Sequence, residues 1–319
     1  MKTSNPADKD RKALPLINYL LLLTAVLLMS GMFALNKLWQ KSNGAGIKTS
    51  LLYTALTGLF VSVIFFSVGG GRVQITPFSL VCAAAVAGLC LGYNLIGFKV
   101  FSIGSYSVYM MFLMLGGMLL PFIYGMLFLG DADGAGTVSL AARFTGVALL
   151  TLSLVLPCLG DKKDKKNSRL FISLCVTVFI LNGFVSITSK IHQIETVRQT
   201  VDATSFVVLT NGTNGIASAV TLFFLCLRDK KPPELAKDFP VWKVILMPLV
   251  CGALNGSSYL CQLVAAASDM PASVQYPMIT GGTVILSAAV GRVFFGERQS
   301  KLSLVGTLLA FAATFLFLL

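Results

Sequence analysis

The most constraining feature of the sequence is a series of ten long, unbroken apolar runs. They cover residues 14–38, 49–68, 78–98, 106–129, 139–159, 170–189, 204–227, 244–267, 272–295 and 302–319. A helix that crosses a bilayer needs roughly 20 apolar residues. A membrane β-barrel strand would instead alternate over about ten residues. The runs are continuous, so the sequence predicts helices. Gly69-Gly70-Gly71-Arg72, residues 131–136 and 230–233 interrupt them with residues that cannot continue a buried helix. Charged residues make up 12% of the chain and mean hydropathy is +0.81. Soluble domains carry about twice that charge fraction. A soluble enzyme, a disordered chain and a collagen-like repeat are thereby excluded, and the fold class is all-α integral membrane.

The chain divides at its midpoint. A charged linker, residues 161–169, separates a first five-span half (residues 1–160, including a basic N-terminal tail) from a second (residues 170–319). The halves share marks at nearly constant spacing. Gly88-x-x-x-Gly92 matches Gly252-x-x-x-Gly256, Gly116-Gly117 matches Gly281-Gly282, and Gly130-Asp131 matches Gly296-Glu297. Span 1 ends Lys37-Leu38-Trp39-Gln40 and span 6 ends Lys190-Ile191-His192-Gln193. Duplicating an odd number of spans makes the second half enter the membrane from the opposite side. The expected architecture is therefore ten transmembrane helices as two inverted five-helix repeats, with a site between them near the midplane.

The stretch 272–287, ASVQYPMITGGTVILS, followed by Phe295-Gly296-Glu297 and Gly306, resembles the end of a half in the drug/metabolite transporter superfamily, EamA-like branch. The first half shows a weaker version in Gly104-Ser105-Tyr106, Pro121, Gly130-Asp131 and Gly146, with Gly-Asp in place of the usual Gly-Glu and a longer loop. The resemblance implies ten helices, a central polar cavity, and export or exchange of small metabolites.

All 13 acidic residues lie outside the spans or at their ends. Carboxylates inside a bilayer are the usual means of proton coupling, because desolvation raises their pKa. The glutamate on which the related small multidrug exporters rely in their first helix has no counterpart in residues 16–35. The sequence thus argues for facilitated or exchange transport.

The candidate substrate-binding residues are polar side chains inside apolar runs: Tyr93, Asn94, Asn182, Asn255, Ser258, Tyr259, Gln262, Gln275 and Tyr276, with Asn211 and Asn214 in span 7. Neutral donors and acceptors at that depth suit a zwitterionic or uncharged polar solute. The competing reading is interhelical hydrogen bonding, worth on average roughly 0.6 kcal/mol each. Lys99 ends span 3, as Lys37 and Lys190 end spans 1 and 6. Each is placed to snorkel toward headgroups, and Lys99 is also placed to draw an anionic group into the cavity. His192 reads as an interfacial side chain. Pro121 and Pro277 interrupt spans 4 and 9 and are candidate hinges or static bends.

The sequence gives no metal or cofactor motif. Its seven cysteines are odd in number and fit no zinc spacing, so they read as small core residues. Net charge is +12, but no basic stripe accompanies a soluble fold, and nucleic acid is not an expected partner. The expected partners are a small-molecule substrate and the lipid bilayer, for a monomer or homodimer in the plasma or inner membrane. The alternatives are a membrane sensor or scaffold without transport, and a membrane enzyme, for which clustered His, Asp, Glu or Cys is lacking. Two orientation signals conflict. Span parity puts eight Lys and Arg on the side of the termini: four in the tail, with Arg72, Arg143, Lys190 and Arg198. The other 17 of the 25 lie opposite, so charge bias places the termini outside, whereas the family resemblance implies cytoplasmic termini.

Overall fold

The computed structural model describes residues 6–317 apart from 45, 104–105, 133–136, 161–168, 237–238, 269 and 297–300. Within helices, the side chains of 6–15, 98–111, 157–160, 295 and 303 also lie outside the description. The described chain forms ten helices: α1 Pro6–Asn43, α2 Ile47–Val68, α3 Pro77–Ile103, α4 Tyr106–Phe128, α5 Thr137–Gly160, α6 Arg169–Ile194, α7 Ala203–Asp229, α8 Val241–Ala267, α9 Ala272–Phe295 and α10 Lys301–Leu316. Each apolar run has become one helix. The largest difference is at the start of α1, and the ends of α1, α3 and α6 also run beyond their apolar stretches.

Eight helices are long and apolar enough to cross a membrane; the described parts of α4 and α10 contribute the shorter apolar stretches Phe112–Phe128 and Leu304–Leu316. The outward faces are apolar. On α1, Leu16, Leu20, Leu23 and Leu27 recur every three or four residues and are all more than half exposed, while Leu22, Ala25, Val26 and Ser30 are buried. Leucines turned outward around a core that includes hydroxyls and amides fit lipid as the surrounding solvent. This is a multi-pass helical membrane protein.

Local chemistry fixes the helix ends. Pro77 occupies the first position of α3, where a missing N–H costs nothing. Asp202 accepts from the Ser205 N–H at 3.0 Å and caps α7. Gly296, with φ of 62°, ends α9, and Gly130, with φ of 71°, follows α4. Both adopt the left-handed conformation that glycine tolerates best.

Helices α2 and α7 pack closely on each other, as do α5 and α10, and α4 meets α9. Helix α1 packs on α8 and α9, and α6 packs on α3 and α4. Helix α3 crosses α7 as α8 crosses α2. Shifting every helix number by five returns these same pairs. One apolar core joins α4, α5, α9 and α10 around Met118, Leu150 and Ala313. A second joins α2, α3, α7 and α8 around Val61, Phe206 and Leu263.

Candidate functional site

A cavity of about 890 Å³ lies between the two groups of helices. It is lined by the C-terminal halves of α1, α3, α5 and α9 and the N-terminal halves of α2, α4 and α10. It therefore occupies the end of the bundle where α1 turns into α2. Ser30, Phe33, Lys37 and Lys41 recur every three or four residues, so one face of α1 forms a wall. Ser50, Thr54 and Thr57 do the same on α2. Toward mid-bundle, Asn255 Nδ2 donates to Asn211 Oδ1 at 3.3 Å, joining α8 to α7. Asn211 Nδ2 in turn donates to the Val207 carbonyl at 3.0 Å.

Two properties set this cavity apart chemically. Its charged lining residues, among those described, are Lys37 and Lys41, with no carboxylate. Around it lie buried polar atoms that lack a hydrogen-bond partner: Ser30 Oγ, Trp39 Nε1, Ser50 Oγ, Asn214 Oδ1 and Ser287 Oγ. Each such group costs about 1–3 kcal/mol when left unmet. Their gathering around one cavity sets a polar wall inside an apolar bundle.

The opposite end of the bundle is closed by hydrogen bonds between helices. Ser258 Oγ donates to the Ala25 carbonyl at 2.8 Å. Gln262 Nε2 donates to Ser258 Oγ at 3.2 Å, and Gln275 Nε2 donates to the Gln262 carbonyl at 2.8 Å. Tyr276 OH donates to the Ser186 carbonyl at 2.8 Å, and Tyr259 OH pairs with Ser189 Oγ at 2.8 Å. These bonds tie α1, α6, α8 and α9 together below the cavity. His192 is buried there. Its Nε2 lies 2.8 Å from Ser79 Oγ and its Nδ1 2.8 Å from Gln193 Nε2, and its ring stacks on Phe206 at 3.7 Å.

The structure thus divides the candidate residues read from the sequence. Tyr93, Asn94 and Asn255 line the cavity, together with Asn211 and Asn214. Ser258, Tyr259, Gln262, Gln275 and Tyr276 belong to the closed end. Asn182 is not in the lining itself but donates to the carbonyl of the lining residue Leu113 at 2.7 Å, fastening α6 to α4. The Lys99 side chain lies outside the described residues. Pro121 and Pro277 are buried inside helices that run on past them. Lys190 does not reach for headgroups, being only 4% exposed. Sequence reasoning missed the walls from α1 and α2. Their signal was present as polar residues three and four apart within apolar runs.

The described cysteines are free thiols, and the described residues hold no group of three or more His, Cys, Asp or Glu able to bind a metal. No known family model matches the chain, and no curated protein matches it. The fold itself recurs among solved structures, with 28 matching chains. One, described only as the crystal structure of a protein, superposes with a TM-score of 0.67 at 16% identity. The match covers 94% of this chain and 95% of that one. At such identity the likeness concerns the fold alone.

Proposed function

We propose that this chain is a secondary transporter of the EamA-like drug/metabolite type. It would move a small polar metabolite or amphipathic compound across a plasma or inner membrane by alternating access, as an exporter or exchanger. The observation that carries this reading is a polar cavity, lined from one end of the bundle and closed at the other by residues that include sequence counterparts of its lining, among them Ser189, Lys190 and His192 for Asn36, Lys37 and Trp39.

The matching supports two inverted halves. Trp39 packs against Tyr53 with ring centroids 4.6 Å apart and planes tilted by 34° beside the cavity, and His192 stacks on Phe206 at 3.7 Å in the closed end. Both members of the second pair lie 153 residues after those of the first. At the α2–α7 crossing, Ser62 Oγ donates to the Val208 carbonyl at 3.1 Å. The counterparts 153 residues away are Gly215 and Ala55, and a Cβ on Gly215 would sit 3.2 Å from the Ala55 carbonyl. The loops supply the inversion. The α1–α2 connection lies beside the α7–α8 connection, where Lys48 Nζ donates to the Lys231 carbonyl at 2.9 Å. The α2–α3 connection lies beside the α6–α7 connection, where the Val201 N–H donates to Ser79 Oγ at 3.1 Å. Halves inserted in the same sense would pair α1–α2 with α6–α7. In this arrangement the two ends of the pathway are the same structure in two conformations, which is the requirement of alternating access.

Thiol accessibility tests the proposal without knowledge of the substrate. In a background lacking reactive native cysteines, one reporter replaces Asn36 at the cavity and another replaces Ser189 at the closed end. Both are expected to label in membranes, and holding either end with a bulky label should suppress labelling of the other. A Ser189 reporter that never reacts, whatever is done at the cavity, would identify a static sensor or scaffold.

A further inference from the structure

We infer that His192 is a proton-binding site, loaded through the hydroxyls of Thr76 and Ser79, and that its protonation opens the closed end of the bundle. Its role in coupling rests on the transporter reading. The proton site itself is argued from the hydrogen bonds alone.

Backbone donors fix the directions of those bonds. Ser79 Oγ accepts from the Val201 N–H at 3.1 Å, and Thr76 Oγ1 accepts from the Ser79 N–H at 3.3 Å. Each hydroxyl therefore keeps one proton to give. Thr76 Oγ1 donates to Ser79 Oγ at 2.8 Å, which leaves the Ser79 proton for His192 Nε2, also 2.8 Å away. With Nε2 accepting, the proton of the neutral ring sits on Nδ1. The Gln193 carboxamide lies 2.8 Å from Nδ1, and a half-turn brings its oxygen there as the acceptor. The hydroxyls thus form a chain from half-buried Thr76, ahead of α3, to Ser79 and His192, which are 0% and 1% exposed.

The same atoms serve in reverse. A hydronium ion at the interface gives a proton to Thr76 Oγ1, the Thr76 proton passes to Ser79 Oγ, and the Ser79 proton passes to Nε2. Each hydroxyl forms one O–H bond and breaks one. The ring gains an N–H bond and one positive charge, and a water molecule is left. Nε2–H then donates to Ser79, Ser79 to Thr76, and Thr76 outward. Every ring nitrogen is met in both forms.

What changes is the charge. The ring lies nearly parallel to Phe206 at 3.7 Å and to Phe78 at 6.1 Å. Lys190 lies two residues back on α6, and the Arg198 guanidinium sits 4.9 Å from the centre of the Phe78 ring. Helices α3 and α8 bring Cys82 and Tyr259 to the same core. The α6–α7 connection brings two carboxylates, and both are engaged elsewhere: Glu195 accepts from the Val197 N–H, and Asp202 from the Ser205 N–H. An imidazolium here is a third cation, buried and without a paired carboxylate, which is a costly arrangement. Opening to water relieves it. Ser79 is also part of the seal, since it joins α3 to α6 and to the α6–α7 connection. At the cavity end the counterpart of His192 is Trp39, which takes up no proton. Acid therefore acts on one end of the pathway. The spans lack carboxylates, and this ring gives a proton another point of coupling.

The chain has one histidine, so ring-nitrogen NMR of the full-length protein, grown with nitrogen-15 histidine and purified by a histidine-free tag, reads this site alone. At about pH 8 the ring should be neutral with its proton on Nδ1, and acidification to about pH 4 should add the proton at Nε2. T76V should leave the ring able to titrate and slow the exchange of its Nε2 proton with water several-fold. The thiol reporters then test opening. Each is compared with the same reporter in H192Q at the same pH, which cancels the effect of acid on thiol reactivity. Relative to H192Q, the Ser189 reporter should gain reactivity several-fold on acidification, and the Asn36 reporter, at the far end of the bundle, should lose it.

A ring that stays neutral throughout, or whose neutral form carries its proton on Nε2, would overturn the proposal. Unslowed exchange in T76V would overturn the Thr76 route. Reporters that exchange under bulky labels yet keep a constant ratio to H192Q at every pH would remove the coupling and leave transport standing. Reporters locked at every pH, whatever the ring does, would instead refute the transport reading, and the opening with it.

Discussion

The Lys190 ammonium donates to the Ala266 carbonyl at 2.7 Å and so caps the carboxyl end of α8 from the last turns of α6. The Met270 carbonyl accepts from the same nitrogen at 3.1 Å. A cation at a helix C-terminus meets the negative end of the dipole, and here it also closes the bundle beneath the cavity. Lys37, its counterpart 153 residues earlier, lines the cavity at the other end. If the halves exchange conformations, these two lysines exchange environments.

Replacing Lys190 should therefore loosen the closed end specifically. K190M removes bonds to a charged donor, each worth about 1.5–3 kcal/mol, and relieves part of that loss by ending the burial of the charge. The expected net is a destabilisation of about 2 kcal/mol, read as a lower thermal midpoint. A cysteine reporter at Ser189 should label several times faster, and K190R should fall between. Unchanged midpoint and labelling in K190M would show that the lysine does not act as a latch.

Asp131 makes a contact of consequence between the first and second halves of the chain. Its Oδ2 accepts from the Ser273 N–H at 2.7 Å, so a residue after α4 caps the first turn of α9. Arg143 braces the turn by donating to the Asp131 carbonyl at 2.8 Å and to Ser273 Oγ at 3.2 Å. Loss of a capping side chain costs about 0.5–2 kcal/mol, and a carboxylate at a helix N-terminus adds a dipole contribution. D131A should lower stability by about 1–2 kcal/mol and D131N by less. Equal stability of D131A and wild type in thermal unfolding would remove the capping role.

Asn255 tests what the contact with Asn211 is worth. Its single bond to Asn211 is of the interhelical kind worth on average roughly 0.6 kcal/mol. N255A should thus unfold within about 1 kcal/mol of wild type. N255D puts a carboxylate beside the Asn211 Oδ1 that now accepts the bond, and should unfold at a lower temperature than N255A. Equal thermal midpoints for the two variants would show that position 255 carries a charge freely and that the bond holds nothing in place.

The helices and their order were legible because twenty-residue apolar runs are nearly unambiguous. The cavity walls were harder to read. Tyr259 and Gln275 look from sequence like any other polar residues at membrane depth, and their bonds to Ser189 and to the Gln262 carbonyl depend on helix rotations that sequence leaves open. Lys37 and Lys190 look identical in sequence, yet one lines the cavity and the other is buried. A symmetric sequence cannot say which of two equivalent ends is open.

Glycines show the same asymmetry and allow a direct test of it. A Cβ on Gly252 would come within 3.1 Å of the Thr57 carbonyl, so α8 lies tight against α2. At the matched Gly88 on α3 a Cβ would meet nothing within 4 Å. Gly58 marks the tight α2–α7 crossing, where a Cβ would lie 2.6 Å from the Asn211 carbonyl and 2.9 Å from Gly215 Cα. G58A must therefore push backbones apart and should cost about 1–3 kcal/mol or more. G88A should be neutral or stabilising by up to about 1 kcal/mol, because alanine is the better helix former. If the second conformation packs α3 on α7 as α8 now packs on α2, a larger side chain at 88 should hold the cavity in its present form. G88L is then expected to keep its thermal midpoint and its labelling at Asn36, while a reporter at Ser189 loses its reactivity. A G88L protein in which Ser189 still labels at the wild-type rate would show that the closed end opens by some route other than the exchange of these two crossings.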